Sequence, residues 1–452
     1  MLHRFLAIGQ KLSPVLRQVI GNIGWLAAER LLTMVLSLCV GIYTIRYLGA
    51  EDFGKLSYST SFVALFAAIA KLGLDAIVVR NSVRNPSKVP EILGTTFVLK
   101  LGGGLLAFIC AAGSILTFNS DREIRSMTLI IAIGFIFQAF DTIELWFQSQ
   151  VLSGRVAMLR GVQFVVNSLT KILLIALQCS VIAFAYLFCI NSIVKAVGTV
   201  LLYRQHGQSL AIWQVSAATA MELIKNAYPL IFSGVMITIY MKIDQVMLGN
   251  LVGERAVGNY AAAVRFSEIW YFVPAAICTS IFPAVVRAKE NERDYYRKLQ
   301  QLYDIMVGLS LSIAMPMTLF SGALIGVLLD KEYAQAGEIL GWHIWASLFV
   351  FLGVASSKWS IAENYVAFNF AATASGAIAN VLLNLWLIPL KGGVGAAIAT
   401  MGSYAIATPL AYFFYPPAFR TGLMLIKALL LPFRFRDNLK RLKRLKQYIR
   451  PL

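Results

Sequence analysis

"RYLGAEDFGKLSYSTSF" occupies residues 46–62, and "VMLGNLVGERAVGNYAAAVRF" occupies residues 246–266. Each carries a Leu-Gly pair, an acidic turn, a second glycine, and then a run of aromatic and small residues. The glycines are Gly49 and Gly54 in the first stretch and Gly249 and Gly258 in the second. Tyr58 and Tyr260 stand in the runs that follow. Both stretches close one apolar segment and open the next, about 200 residues apart in a chain of 452. A parallel repeat of that length predicts two similar halves related by an axis along the membrane normal, with a cavity between them.

The composition says what each half is made of. Hydrophobic residues make up 58% of the chain and charged residues 14%, whereas an average soluble domain has roughly 45–50% and 25%. Apolar runs recur from near residue 20 to near residue 415, each of the roughly 20 residues that a bilayer requires. They fall at about 20–48, 54–79, 91–117, 126–149, 155–178 and 181–203, then 223–249, 257–286, 303–329, 337–361, 364–389 and 393–415. The expected fold is an all-α integral membrane protein, with twelve transmembrane helices in two six-helix lobes around a central cavity. Residues 1–19 form an N-terminal segment, 20–203 the N-lobe, 204–222 a linker, 223–415 the C-lobe and 416–452 a tail. The first apolar segment is long and lacks a small-residue cleavage site, so it reads as a span and not as a signal peptide.

Lysine and arginine in the connections orient the chain. With the N-terminus in the cytoplasm, inside segments hold 25 such residues and outside segments 7. Both termini are therefore expected inside, and the +18 net charge is mostly topology, not a nucleic-acid footprint. In the tail "RFRDNLKRLKRLKQYIRPL" (434–452), Leu439, Leu442, Leu445, Ile449 and Leu452 form an apolar stripe between cations. Such a helix would lie on an anionic inner leaflet. The preceding "TGLMLIKALLLPF" (421–433) is too short to span and is expected in the interface as well.

Ionisable residues inside spans are expensive and are functional candidates by default. Glu29 and Arg30 are placed near the midplane by the 1.5 Å rise per residue. Lys242, Asp244, Arg265 and Glu268 fall in the outer half, as one expected cluster on the two helices that begin the second repeat. Lys71, Asp75, Lys100, Asp141, Glu144 and Lys195 fall in the inner half, where structural ion pairing is the favoured reading. Lys171 also lies within a span. The five cysteines sit in apolar runs, and His3, His206 and His343 are too scattered for a zinc site. No metal or cofactor is expected. Gly102, Gly103 and Gly104, with Pro229, Pro274, Pro283 and Pro316, allow bending or close packing within spans.

The hairpin 46–62, "KLGLDAIVVR" (71–80) and "DQVMLGNLVGERAVGNYAAA" (244–263) resemble bacterial polysaccharide flippases. These belong to the multidrug/oligosaccharidyl-lipid/polysaccharide exporter (MOP) superfamily, and the likeness runs over most of residues 15–415. The resemblance implies a non-enzymatic carrier that moves an oligosaccharide on undecaprenyl diphosphate from the cytoplasmic to the periplasmic leaflet of a bacterial inner membrane. On that basis Arg30, Arg265 and Lys242 are candidates for the diphosphate. Glu29, Asp244 and Glu268 are candidates to hold those cations in the empty site, or to carry a coupling ion. Partners would be the polyprenyl-linked glycan, the bilayer and other polysaccharide-assembly proteins; nucleic acid is excluded and a monomer expected.

A multidrug extruder of the same superfamily would share the fold and favour acidic residues. A membrane polymerase or glycosyltransferase would need a large outer loop, but "FNSDREIRS" (118–126) and "LDKEYAQAG" (329–337) are short. A major-facilitator carrier would have Gly and Asp between its second and third spans, which "RNSVRNPSKVP" (80–90) lacks.

Overall fold

The structure, a computed structural model, describes the backbone of residues 14–434 and the side chains from residue 33 onward, residue 35 excepted. The side chains of Glu29 and Arg30, most of the N-terminal segment, and the basic tail beyond Arg434 lie outside the described residues. The first half contains α1 (Pro14–Ala64), α2 (Ala67–Lys71), α3 (Asp75–Arg84), α4 (Val89–Phe118), α5 (Arg122–Ala132), α6 (Gly134–Phe137), α7 (Asp141–Ser149), α8 (Ser153–Ala176) and α9 (Val181–Gln205). The second contains α10 (Ala217–Leu251), α11 (Glu254–Glu268), α12 (Phe272–Arg287), α13 (Glu292–Leu328), α14 (Ala334–His343), α15 (Ala346–Ala362), α16 (Val366–Ala407) and α17 (Phe419–Leu429). No strand occurs among the described residues.

Helix is what lipid demands of such a sequence, because each backbone N–H and C=O must find its partner within the segment. Eight helical runs among the described residues are long and apolar enough to cross a membrane, and two bent pairs raise the number to ten. Their outer surfaces invert the rule for soluble proteins: Leu319 and Val327 are each 78% exposed on one face of α13. The chain turns sharply at two glycines within long helices, Gly49 (φ 70°) in α1 and Gly392 (φ 55°) in α16. Positive φ at both sites is natural for glycine and strained for other residues.

The two stretches share backbone features, in a register that differs from the Leu-Gly pairing. The positive-φ glycine that opens α11 is Gly253 (φ 118°), so Gly49 corresponds to Gly253 and not to Gly249. The offset is then 204 residues, the same from Gly49 to Gly253, from Gly54 to Gly258, and from the helix end at Ala64 to that at Glu268. Backbone conformation, not residue identity, sets the register. Beyond Ala64 the helix bends by 44° into the run Ala67–Arg84. Beyond Glu268 a 3-10 segment at Ile269–Tyr271 precedes α12. The two halves thus depart from regular α-helix at corresponding positions.

Prolines alone do not place these breaks. Helix α10 runs continuously through Pro229 and α13 through Pro316; Pro274 lies close to the Ile269–Tyr271 segment and Pro389 to the turn at Gly392. Helix α10 begins at Ala217, ahead of the expected boundary at 223, because the alanine-rich stretch 217–222 favours helix and is capped at Ser216. The Ser216 side chain accepts from Thr219 N at 3.3 Å. Helix α17 is amphipathic: Met424, Leu425 and Ala428 are buried, and Arg420 lies 3.5 Å over the Tyr296 ring of α13.

Candidate functional site

The two halves meet most closely beside the glycine turns. A Cβ on Gly54 would collide with the backbone carbonyl of Glu254, and one on Gly258 with that of Ala50. With the offset of 204 these are the same contact seen from each half. Polar bonds seal the same end. Tyr58 OH donates to Asn250 Oδ1 at 2.8 Å, Ala50 N to Glu332 Oε2 at 3.1 Å, and Tyr333 OH to Ile45 O at 2.8 Å.

Below this seal lies a cavity of about 380 Å³ between the halves. The first half contributes Thr44, Ser61, Asn167 and Lys171, and the second Lys242, Gln245, Arg265 and Glu268. Arg265, at the end of α11, crosses to α1 and donates from Nη2 to the Ser37 carbonyl at 3.4 Å. Gly41 makes room for it, since a Cβ there would collide with the guanidinium. The offset relates this contact to another: Ser61 Oγ donates to Gln245 Oε1 at 2.8 Å. Position 61 corresponds to 265, and 41 to 245. One repeat has filled the contact with a neutral hydrogen bond and the other with a cation facing a void.

Three cations and one carboxylate line the cavity, and among the described residues none of the four forms a salt bridge. Lys242, Arg265 and Glu268 are thus brought together, and Lys171 joins them. Asp244 is not in the group. It is buried at 5% exposure behind the cavity wall, where Tyr260 OH donates to its carboxylate. Thr400 Oγ1 donates to the same oxygen, Oδ2, at 3.4 Å, and Oδ1 accepts from Gln245 N at 2.8 Å. The expected outer cluster is therefore split: Lys242 faces the void and Asp244 faces a hydroxyl network. Lys171, Gly41, Asn167 and Gln245 were not assigned to the site from sequence. The 204-residue register, which aligns Gly41 with Gln245, is the signal that would have found two of them.

The inner-side charges form separate pairs. Lys100 Nζ lies 2.6 Å from Asp75 Oδ1. Lys195 lies 2.7 Å from Asp141 and 3.4 Å from Glu144, which also binds Arg160. Lys71 is exposed. None lines the interlobe cavity. Lys100 is only 2% exposed while Asp75 is 55% exposed. Asp75→Ala should therefore leave a buried ammonium unpaired and cost about 3 kcal/mol, the low end for breaking a buried pair because one partner is half in solvent. Thermal unfolding in detergent would read this loss; an unchanged midpoint would mean that Lys100 finds another partner.

Comparison with known proteins places this geometry in a family. The family model described as "Polysaccharide biosynthesis protein" matches residues 19–289, and the MatE model matches residues 229–386. The chain is 25% identical over 401 residues to the probable flippase AglR of Haloferax volcanii, covering 84% of this chain and 80% of that protein. Among solved structures it resembles an inward-facing multidrug resistance MATE transporter of the MOP superfamily, with a TM-score of 0.69 at 14% identity over 88% of this chain and 95% of the other. It also resembles the lipid II flippase MurJ in an inward closed conformation, with a TM-score of 0.68 at 14% identity over 91% and 92%. These likenesses establish a multi-span transporter fold.

Proposed function

Because this chain belongs to the polysaccharide biosynthesis protein family of the MOP superfamily, we propose that it is a flippase for an oligosaccharide carried on undecaprenyl diphosphate. The cargo would pass from the cytoplasmic to the periplasmic leaflet of a bacterial inner membrane by alternating access, as a step in polysaccharide export. The observation that supports this reading is the cationic lining of the interlobe cavity by Lys171, Lys242 and Arg265, none of which forms a salt bridge among the described residues. A diphosphate cannot enter hydrocarbon without compensation, and a guanidinium supplies paired donors for phosphate oxygens. Arg30 would join them from the first helix. Glu268 is the cavity carboxylate placed to hold a cation while the site is empty.

In this reading α1 and α16 each count as two spans, divided at Gly49 and Gly392, which gives twelve spans with both termini in the cytoplasm. The sealed end is then periplasmic and the cavity is loaded from inside. The lipid tail stays in the bilayer while the headgroup moves. Asp244, set apart in its hydroxyl network, is the group assigned to ion coupling, with Glu29. No bond in the cargo is made or broken, so no catalytic residue is assigned. The protein would act as a monomer beside other polysaccharide-assembly proteins.

A cation-coupled multidrug extruder is the second reading, and the MatE match favours it. It sits poorly with this cavity, where a cationic drug would meet three like charges and one carboxylate. Proteoliposomes carrying a fluorescent undecaprenyl-diphosphate oligosaccharide decide between them. Protein-dependent transfer is expected, and Asp244→Asn should abolish its dependence on a proton or sodium gradient. Absence of transfer under either gradient, with transport of cationic dyes, would replace the flippase by the extruder.

A further inference from the structure

We infer that a second cavity, inside the C-terminal half, binds the sugar units of the cargo while the interlobe cavity holds its diphosphate. This inference rests on the flippase reading and adds to it a site for the glycan. The second cavity measures about 370 Å³ and lies between α10, α15, α16 and the turn at Ile269–Tyr271.

The two cavities share walls. Lys242 lines the first and Met241 the second, in consecutive positions on α10. Glu268 lines the first and Tyr271 the second, three residues further along the 3-10 segment, a rise of about 6 Å. Beyond Tyr271, α12 packs mainly on α13 and α15, and the cavity wall is made by α10, α15, α16 and Tyr271 itself. A group covalently attached to a diphosphate in the first cavity has this space directly beside it.

The lining suits a pyranose better than an isoprenoid. Tyr240 and Tyr404 lie with ring centroids 4.2 Å apart and planes inclined at 34°, a broad aromatic wall. The C–H face of a sugar ring packs on such a surface, while its hydroxyls require donors and acceptors. Tyr271 offers one: its hydroxyl is buried beside Ser267 and forms no hydrogen bond of normal length among the described residues. A weakly paired buried polar group is costly, and a sugar hydroxyl would complete its bonding. Asn369 and Thr373 add further polar atoms, and Lys358 supplies a cation for a uronic acid or a sugar phosphate. An isoprenoid chain would use none of these polar groups and has the bilayer available instead. A few placed polar groups in a mainly apolar pocket are the usual means of orienting a ligand.

The test compares binding to purified protein of bare undecaprenyl diphosphate with a panel of undecaprenyl-diphosphate disaccharides built from hexoses, N-acetylhexosamines and uronic acids. Wild type is expected to bind at least one panel member about tenfold tighter than the bare lipid. Tyr271→Phe and Tyr240→Leu should erase that advantage and leave affinity for the bare lipid unchanged. Arg265→Ala should weaken both lipids. If no panel member binds tighter than the bare lipid, or if both tyrosine variants keep the advantage, the sugar site is overturned while the diphosphate site stands. If folded wild type binds neither lipid, the flippase reading fails and the sugar site with it.

Discussion

Arg265→Ala is expected to slow transfer of an undecaprenyl-diphosphate oligosaccharide by tenfold or more, with the protein still folded. The guanidinium lines the cavity without a salt bridge among the described residues, and its described hydrogen bond is a long one to the Ser37 carbonyl. It is therefore available to a ligand at little cost. Each charge-assisted bond to phosphate is worth about 1.5–3 kcal/mol, and 1.4 kcal/mol is tenfold. Arg265→Lys should recover part of the rate, since an ammonium keeps the charge and loses the planar fork. The sharper variant is Gly41→Leu. It leaves every charge in place but fills the space that the guanidinium occupies. If position matters as much as charge, Gly41→Leu slows transfer comparably, and Gly41→Leu/Arg265→Ala is no slower than the worse of the two. Such non-additivity is the signature of one shared interaction. Flipping in proteoliposomes, with thermal unfolding as the control for folding, measures all four proteins. Wild-type rates in Arg265→Ala would reduce the arginine to a structural contact.

The same residues mark the boundary of what the sequence discloses. Hydropathy and the paired hairpins announce helices, two halves and the height of each charge. They do not give the direction in which a side chain points. Lys242 and Asp244 are two positions apart and thus share a depth, yet on a helix they are about 200° apart. Lys242 faces the cavity and Asp244 is enclosed by Tyr260 and Thr400. An expectation built on rise alone merged them. Register had a similar limit. Leu-Gly recurs at Gly49 and Gly249, but the turn that matters recurs at Gly253, where φ is positive. The inner charges were the reverse case. Asp75 with Lys100, and Asp141 and Glu144 with Lys195, pair across different helices. Their position near the inner surface already favoured structural roles.

Gly258→Leu should hold the sealed end of the molecule open. At this glycine α11 lies against the Ala50 carbonyl, and at Gly54 the first half lies against the Glu254 carbonyl. Backbone cannot step aside as a side chain can, so a larger residue forces the halves apart along their closest line of contact. Overpacking of this kind costs about 1–3 kcal/mol. The cost falls only on the state in which the two halves touch here, so the population shifts by about fivefold to a hundredfold toward the open end. A cysteine placed at Thr44, which lines the cavity, reports that shift in a background lacking the five native cysteines. A membrane-impermeant maleimide applied from the Gly49 side should label it at least several-fold faster in Gly258→Leu than in the parent. Transfer of cargo should fall at the same time, because alternating access requires both ends to close in turn. Gly258→Ala should act in the same direction and less strongly. The repeat adds a stricter demand: Gly54→Leu perturbs the contact that the 204-residue offset makes equivalent, and it should reproduce both effects. Unchanged labelling and transfer in both variants would mean that this contact packs the halves without gating them. An effect from one glycine alone would mean that closure is carried by one repeat.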